Sequence, residues 1–194
     1  MAEADRTKWD ARYTENSPSE EPSQWLLAWL ETADEKLVPK SGRVLDVAGG
    51  AGRNAIWFAQ RGFEVTLVDV SAVAIEIAEK RAKEAGVNIV TRVMDLENET
   101  LPDGPWDFIL QMHYLDRSLF PKYEQLLSPT GLLAIEHPTR SNLVRHEKPS
   151  APYLLEDGEL PELCANFVIV SHGEGWNERG RHEARLVARR LEED

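Results

Sequence analysis

Apolar positions along this chain follow two alternating rhythms. Short dense runs at 43–48 (Val44, Leu45, Val47), 64–68, 88–93, 106–110 and 132–136 read as strands buried on both faces. Between them, apolar residues recur at three- and four-residue spacing over 53–60, 72–85 and 118–127, which predicts helices. A further helix is predicted over 23–37, with Trp25, Leu26, Trp29, Leu30 and Leu37 on one face. Ser71 is placed to cap the 72–85 helix, and Gly62 and Gly86 to close the two helices before them.

Strands that alternate with helices predict a parallel sheet covered on both faces. The rhythm stops after 136. Residues 138–152 are polar and irregular, and a second irregular piece follows. The strand-like runs 165–170 and 184–190 then flank a polar turn with Gly173, Gly175 and Gly180, and predict an antiparallel hairpin. The expected fold class is α/β: one domain over 1–194, with a doubly wound seven-stranded sheet, mostly parallel, ending in that hairpin. Residues 1–21 are polar and punctuated by Pro18 and Pro22, so a partly mobile leader is expected there.

Composition narrows the function. Lys and Arg number 22 against 34 Asp and Glu, a net charge of −12. That average field repels a phosphate backbone, so no nucleic-acid partner is expected. Cys164 is the lone cysteine and lies in an apolar run, so a small buried residue is expected rather than a nucleophile. The first ten residues lack the apolar core of a signal peptide, and no run approaches the ~20 apolar residues of a membrane helix. A cytoplasmic protein, monomer or homodimer, away from the membrane, is the resulting expectation. No metal-ligand spacing is seen, and no metal is expected.

Candidate chemistry concentrates at 43–59. An apolar strand runs into the small residues Ala48 to Gly52, and a helical pattern begins at once. Glycine permits a tight turn and close approach of a ligand, and the N–H groups opening a helix suit electron-rich groups. Such a pocket lies at the carboxyl end of a parallel strand. The next strand, Glu64-Val-Thr-Leu-Val-Asp69, ends in an acid whose distance from the glycines suits a carboxylate gripping ribose hydroxyls. Asp95 ends the third strand in the same way.

These residues resemble a known family. Asp46-Val-Ala-Gly-Gly-Ala-Gly52 is similar to the first motif of class I S-adenosylmethionine-dependent methyltransferases, with Ala48 in place of the first glycine. The resemblance runs from about Trp9 to Arg190. It implies a Rossmann-like fold that a terminal hairpin completes, methyl transfer as the activity, and S-adenosylmethionine as the cofactor. Trp9-Asp-Ala-Arg-Tyr13, Gly52-Arg-Asn-Ala55 and His113-Tyr-Leu-Asp-Arg117 further resemble small bacterial methyltransferases of the tellurite-resistance and thiopurine type.

The resemblance implies a cofactor site of Asp46, Ala48, Gly49, Gly50, Gly52, Asn54, Asp69, Val70, Met94, Asp95, Leu96 and Gln111. In it Asp46 orients the methionine end, Asp69 takes the ribose hydroxyls, Val70 packs on the adenine, and Asp95 takes the adenine amine between Met94 and Leu96. Several roles stay open between that site and plain structure: Asp46 also suits a turn cap, Asp69 a helix cap, and Met94 core packing. His113 and Tyr114 follow strand four, where acceptor and methyl donor meet, and serve either as proton carriers or as packing residues. Trp9, Arg12 and Tyr13 form either a lid over the pocket or part of the mobile leader.

The segment 137–148 is basic within an acidic chain, and Arg140 and Arg145 are its candidates for attracting an anionic or electron-rich small acceptor. The expected acceptor is a thiol, a chalcogen oxyanion or another small nucleophile. Two alternatives stand beside methyl transfer. One is a cofactor-binding regulator without catalysis. The other is a nicotinamide oxidoreductase, since Gly50-Ala-Gly-Arg-Asn-Ala55 also fits a dinucleotide pattern.

Overall fold

The computed structural model describes residues 2–191. Seven strands form one sheet: β1 Arg43–Val47, β2 Glu64–Asp69, β3 Val90–Val93, β4 Trp106–Met112, β5 Leu127–Pro138, β6 Phe167–Trp176 and β7 His182–Arg190. Their spatial order is β3-β2-β1-β4-β5-β7-β6. Pairs among β1 to β5 are parallel, and β7 runs antiparallel to both β5 and β6. The fold is the expected Rossmann-like one. Strand order reverses between β1 and β4, so a crevice opens at their carboxyl ends.

The central strands bury both faces, as their unbroken apolar runs require. On one face Val44, Phe58, Phe63, Val65, Leu67 and Phe108 pack together. The Phe58 ring lies 5.2 Å from Phe63 and 5.1 Å from Phe108. On the other face Leu45, Val47, Ile109, Leu119, Phe120 and Tyr123 do the same. Cys164 is fully buried in this second layer, and burial pushes its thiol up to about 12.

The helices are α1 Ala2–Glu15, α2 Gln24–Thr32, α3 Arg53–Ala59, α4 Ala72–Glu84, α5 Phe120–Leu126 and α6 Glu159–Leu163. Ser71 caps α4 as expected, its hydroxyl accepting from the Ala74 N–H at 3.1 Å. Several expectations need correction. Within the leader, for which no element was predicted, residues 2–15 form α1, which packs against α4. α2 stops at Thr32 instead of reaching Leu37, because the Asp34 carboxylate accepts from the Lys36 N–H and turns the chain. β5 begins at Leu127, five residues early: residues 128–131 continue the strand, and its pairing with β4 shifts register between Trp106 and Phe108. Gly173 and Gly175 lie within β6, paired to β7, so the hairpin turn shrinks to 177–181. The α6 helix went unread because it holds only five residues.

Among the described residues no helix is long and apolar enough to cross a membrane.

Candidate functional site

A cavity of about 1040 Å³ opens where the topology places it, over the carboxyl ends of β1, β2 and β4. Its volume lies at the top of the range for small-molecule sites. Residues from α1 close one side of it: Asp5, Trp9, Arg12 and Tyr13.

The turn after β1 forms the floor. Ala48, Gly50 and Gly52 all take left-handed backbone, with φ of 52°, 56° and 79°. Alanine holds that conformation at a cost of roughly 1–2 kcal/mol, so the glycine-type turn survives the replacement. Gly49 is fixed by space: a Cβ there would sit 2.7 Å from Asp46 Cγ and 2.9 Å from Leu67 Cγ. At Gly50 a Cβ would strike the Tyr13 hydroxyl, which hangs directly over the turn. Gly52 stands apart from the cavity wall and lets α3 meet α4, since its Cβ would lie 3.0 Å from Ala78 Cβ.

Two buried carboxylates brace this floor. Asp46 Oδ2 accepts from the Ala55 N–H at 3.2 Å, while Oδ1 is buried without a hydrogen-bond partner. Desolvation raises the Asp46 carboxyl to about 7, with Arg53 pulling the other way. Asp69 Oδ2 accepts from the Gly50 N–H and Oδ1 from the Ser71 N–H, each at 2.9 Å. Burial raises Asp69 as well, opposed by those two backbone donors. Asp95 reaches the cavity too, with Oδ1 accepting from the Glu97 N–H and Oδ2 from the Asn98 side chain.

At the other end stands His113, itself left-handed at φ 61°. Its N–H donates to the Glu136 carbonyl at 2.8 Å. Its ring lies between two buried glutamates, Nε2 3.9 Å from Glu136 and Nδ1 3.9 Å from Glu183. Arg185 bridges both carboxylates, at 3.0 and 2.9 Å, and Ser23 Oγ donates to Glu136 at 2.8 Å. This pairing is what permits two buried acids behind His113. Desolvation lowers His113 to about 4 against the pull of Glu136, so the imidazole is uncharged at neutral pH. Burial keeps the Tyr114 and Tyr13 hydroxyls protonated, Tyr13 at about 12.

Trp9, Arg12, Tyr13, Asp46, Ala48, Gly49, Gly50, Asn54, Asp69, Val70, Asp95, Leu96, His113 and Tyr114 therefore share one cavity. Five candidates do not line it. Met94 faces the core. Gln111 is fully buried, donating to the Tyr114 carbonyl at 2.9 Å and accepting from the Tyr123 hydroxyl, so it shapes the turn after β4. Gly52 serves helix packing, as above. Arg140 pairs with Glu156 at 2.6 Å, and Arg145 lies 3.8 Å over the Trp176 ring, so both cations are engaged elsewhere. The cavity instead takes His146 from that loop, together with Arg53, Arg179 and Arg181.

Sequence reasoning missed these residues and the Glu136–Arg185–Glu183 group. Strand five ending in an acid, and the alternation of Glu183 and Arg185 along β7, were the available signals. Away from the cavity, Asp157, Glu174 and His182 bring one ligand atom each within 4.8 Å of one another. Their carboxylates already accept from the Ser141 and Gly158 N–H groups.

Residues 44–131 match the family described as a methyltransferase domain. The chain is 29% identical over 122 residues to the "Putative methyltransferase YqeM" of Bacillus subtilis, covering 58% of this chain and 47% of that protein. It is 32% identical over 127 residues to the "tRNA 5-carboxymethoxyuridine methyltransferase" of Escherichia coli, covering 60% and 48%. The chain thus spans about half the length of these curated relatives. Two solved structures share the fold. One concerns the conversion of a disulfide bond into a thioacetal group during echinomycin biosynthesis, with TM-score 0.73, 20% identity, and 95% and 91% coverage. The other is magnesium protoporphyrin IX methyltransferase from Synechocystis with bound SAH, with TM-score 0.66, 20% identity, and 86% and 80% coverage.

Proposed function

We propose that this chain, which carries a methyltransferase domain over residues 44–131, transfers a methyl group from S-adenosylmethionine to a small acceptor. The observation that carries the reading is Asp46 Oδ1, a buried acceptor with no partner at the wall of the cavity. Buried polar atoms are otherwise paired, so this one calls for a donor from a ligand. The ammonium of the cofactor's methionine end is such a donor, and its charge favours the ionised carboxylate. Asp69 retains lone pairs for the ribose hydroxyls after taking the Gly50 and Ser71 N–H groups. Val70 and Leu96 offer apolar contact to the adenine beside Asp95.

The cofactor, when bound, supplies an electrophilic methyl group on its sulfonium. The protein's part is orientation, exclusion of water and disposal of a proton. α1 covers the turn after β1 with Tyr13, which favours a dry site. His113 is uncharged and free to take a proton from an oxygen or nitrogen acceptor. The imidazolium so formed would lie between Glu136 and Glu183. A thiol or a chalcogen oxyanion, the acceptors suited to the tellurite-resistance and thiopurine subgroup, needs less help from a base. A cytoplasmic setting fits this chemistry.

A second acceptor class is a nucleoside within RNA, because one relative is named for tRNA. The net charge of −12 opposes a polyanion and favours the small acceptor. Methyl-labelled cofactor incubated with small thiols, amines and oxyanions, and in parallel with total tRNA, tests the reading. Label on a small acceptor supports it, and label on tRNA alone moves the acceptor to RNA. Cofactor binding with no turnover on any acceptor would return the regulator reading.

A further inference from the structure

Charge is unevenly spread around the cavity. Asp46, Asp69, Asp95 and Glu97 gather at the ends of β1 to β3. The opposite wall carries Arg179 and Arg181 at the β6–β7 turn beside the uncharged His113 after β4, with Arg53 at the start of α3 between the two halves. Acids outnumber bases 34 to 22 in this chain, so an arginine here has carboxylates in plenty to pair with. Arg117, Arg140 and Arg185 do so at 3.0 Å or less. Arg179 pairs with Glu21 at 3.8 Å across solvent.

Arg53 and Arg181 differ. The Arg53 guanidinium donates to the Glu21 carbonyl at a long 3.4 Å. Arg181 is held by its backbone, the N–H donating to Asn177 Oδ1 at 3.0 Å, which leaves the side chain to the cavity. Among the described residues neither guanidinium forms an ion pair with a carboxylate. Both line the cavity and act electrostatically on His113, Arg181 from the β6–β7 turn and Arg53 from the junction of the two halves, where it also acts on Asp46.

Resting on the methyl-transfer reading, we infer that the acceptor carries an anionic group, a carboxylate or a phosphate, which Arg53 and Arg181 receive beside His113. A guanidinium presents paired N–H donors that match such an oxyanion, and those charge-assisted bonds strengthen where water is excluded. The anchor would set the nucleophile's position, while the acidic half of the cavity takes the cofactor. Arg53 and Arg181 are thus specificity residues for the acceptor.

The test uses full-length protein saturated with S-adenosylhomocysteine, with saturation verified by calorimetry. Failure at that stage sinks the methyl-transfer reading itself. The loaded protein is then titrated at constant ionic strength with inorganic phosphate, with 4-hydroxybenzoate and with its neutral amide. The side-chain Nε–H resonances of Arg53 and Arg181 are followed. One anion or both should shift these resonances saturably, and which of them does so assigns carboxylate or phosphate; the amide should not. Arg53→Gln and Arg181→Gln should each raise the half-saturating anion concentration roughly tenfold, while Arg140→Gln should leave it unchanged. Three results overturn the inference: neither anion shifts the resonances, the amide binds as well as the acid, or both variants titrate like the parent.

Discussion

Asp10 of α1 accepts a 2.5 Å hydrogen bond from the Ser71 hydroxyl, the residue that caps α4. The same Asp10 oxygen accepts from the Val73 N–H at 3.3 Å. The N-terminal helix is therefore latched to the first turn of α4, beside the acid that ends β2. Helix N-termini favour a negative charge, which adds to the latch. Asp10→Ala should loosen α1 by about 1–3 kcal/mol. Amide exchange within α1 should then quicken by roughly tenfold or more, with β1 and β4 amides unchanged. Equal protection of α1 in both proteins would remove Asp10 as the latch.

Asp46 gives a pH signature whose sign is fixed by its burial. Its folded-state value of about 7 lies above the ordinary 3.8. Between those values the unfolded chain has lost a proton that the folded chain keeps, so stability of the free protein falls as pH rises through this window. Above about pH 7 the penalty is constant. Urea midpoints of the parent minus those of Asp46→Asn should decline across the window and then level off. A cationic ligand reverses the preference. Binding of S-adenosylmethionine near pH 6 should release a proton in the parent and none in Asp46→Asn, as read from calorimetry in buffers of different ionisation enthalpy.

Ala48 occupies left-handed backbone that glycine adopts without strain. Ala48→Gly should stabilise the fold by about 0.5–1 kcal/mol, the relief of strain less the added freedom of the unfolded chain. Ala48→Val should destabilise by about 1 kcal/mol or more, since a branched side chain suits that region worst. Chemical denaturation of the two variants measures both.

His113→Gln removes the proposed proton acceptor and keeps the amide hydrogen bond to the Glu136 carbonyl. With an oxygen or nitrogen acceptor the turnover rate should fall by roughly 10²–10⁴, with cofactor affinity unchanged. The parent rate should be flat above about pH 5, because the imidazole is lowered to about 4. A rate that climbs through pH 6–7 would instead mark Asp46 or another group as the titrating residue.

Much of this architecture was legible in the chain. The buried strands declare themselves by unbroken apolar runs, and Asp46, Gly49, Gly50 and Asp69 by their places at strand ends. Residues fixed by long-range contacts were not legible. Gln111 reads as a site residue because it follows strand four, yet Tyr123, twelve positions on, claims its side chain. Met94 adjoins the cavity residue Asp95, yet its side chain packs into the core just past the end of β3. Arg140 and Arg145 carry the right charge in the right loop, but Glu156 and Trp176 take them. Arg181 sits in a turn whose extent depends on how far β6 and β7 pair. α1 has almost no apolar face, so no periodicity announced it; α4 and the cavity edge supply its contacts.

In the proposed function a cofactor is clasped between Asp46 and Asp69. The most direct measurement is a calorimetric titration of the protein with S-adenosylhomocysteine, beside Asp69→Ala shown by urea denaturation to remain folded. Saturable one-to-one binding is expected in the parent, weakened roughly tenfold to a hundredfold in the variant. No binding by the parent, or equal affinity in the two proteins, would contradict it.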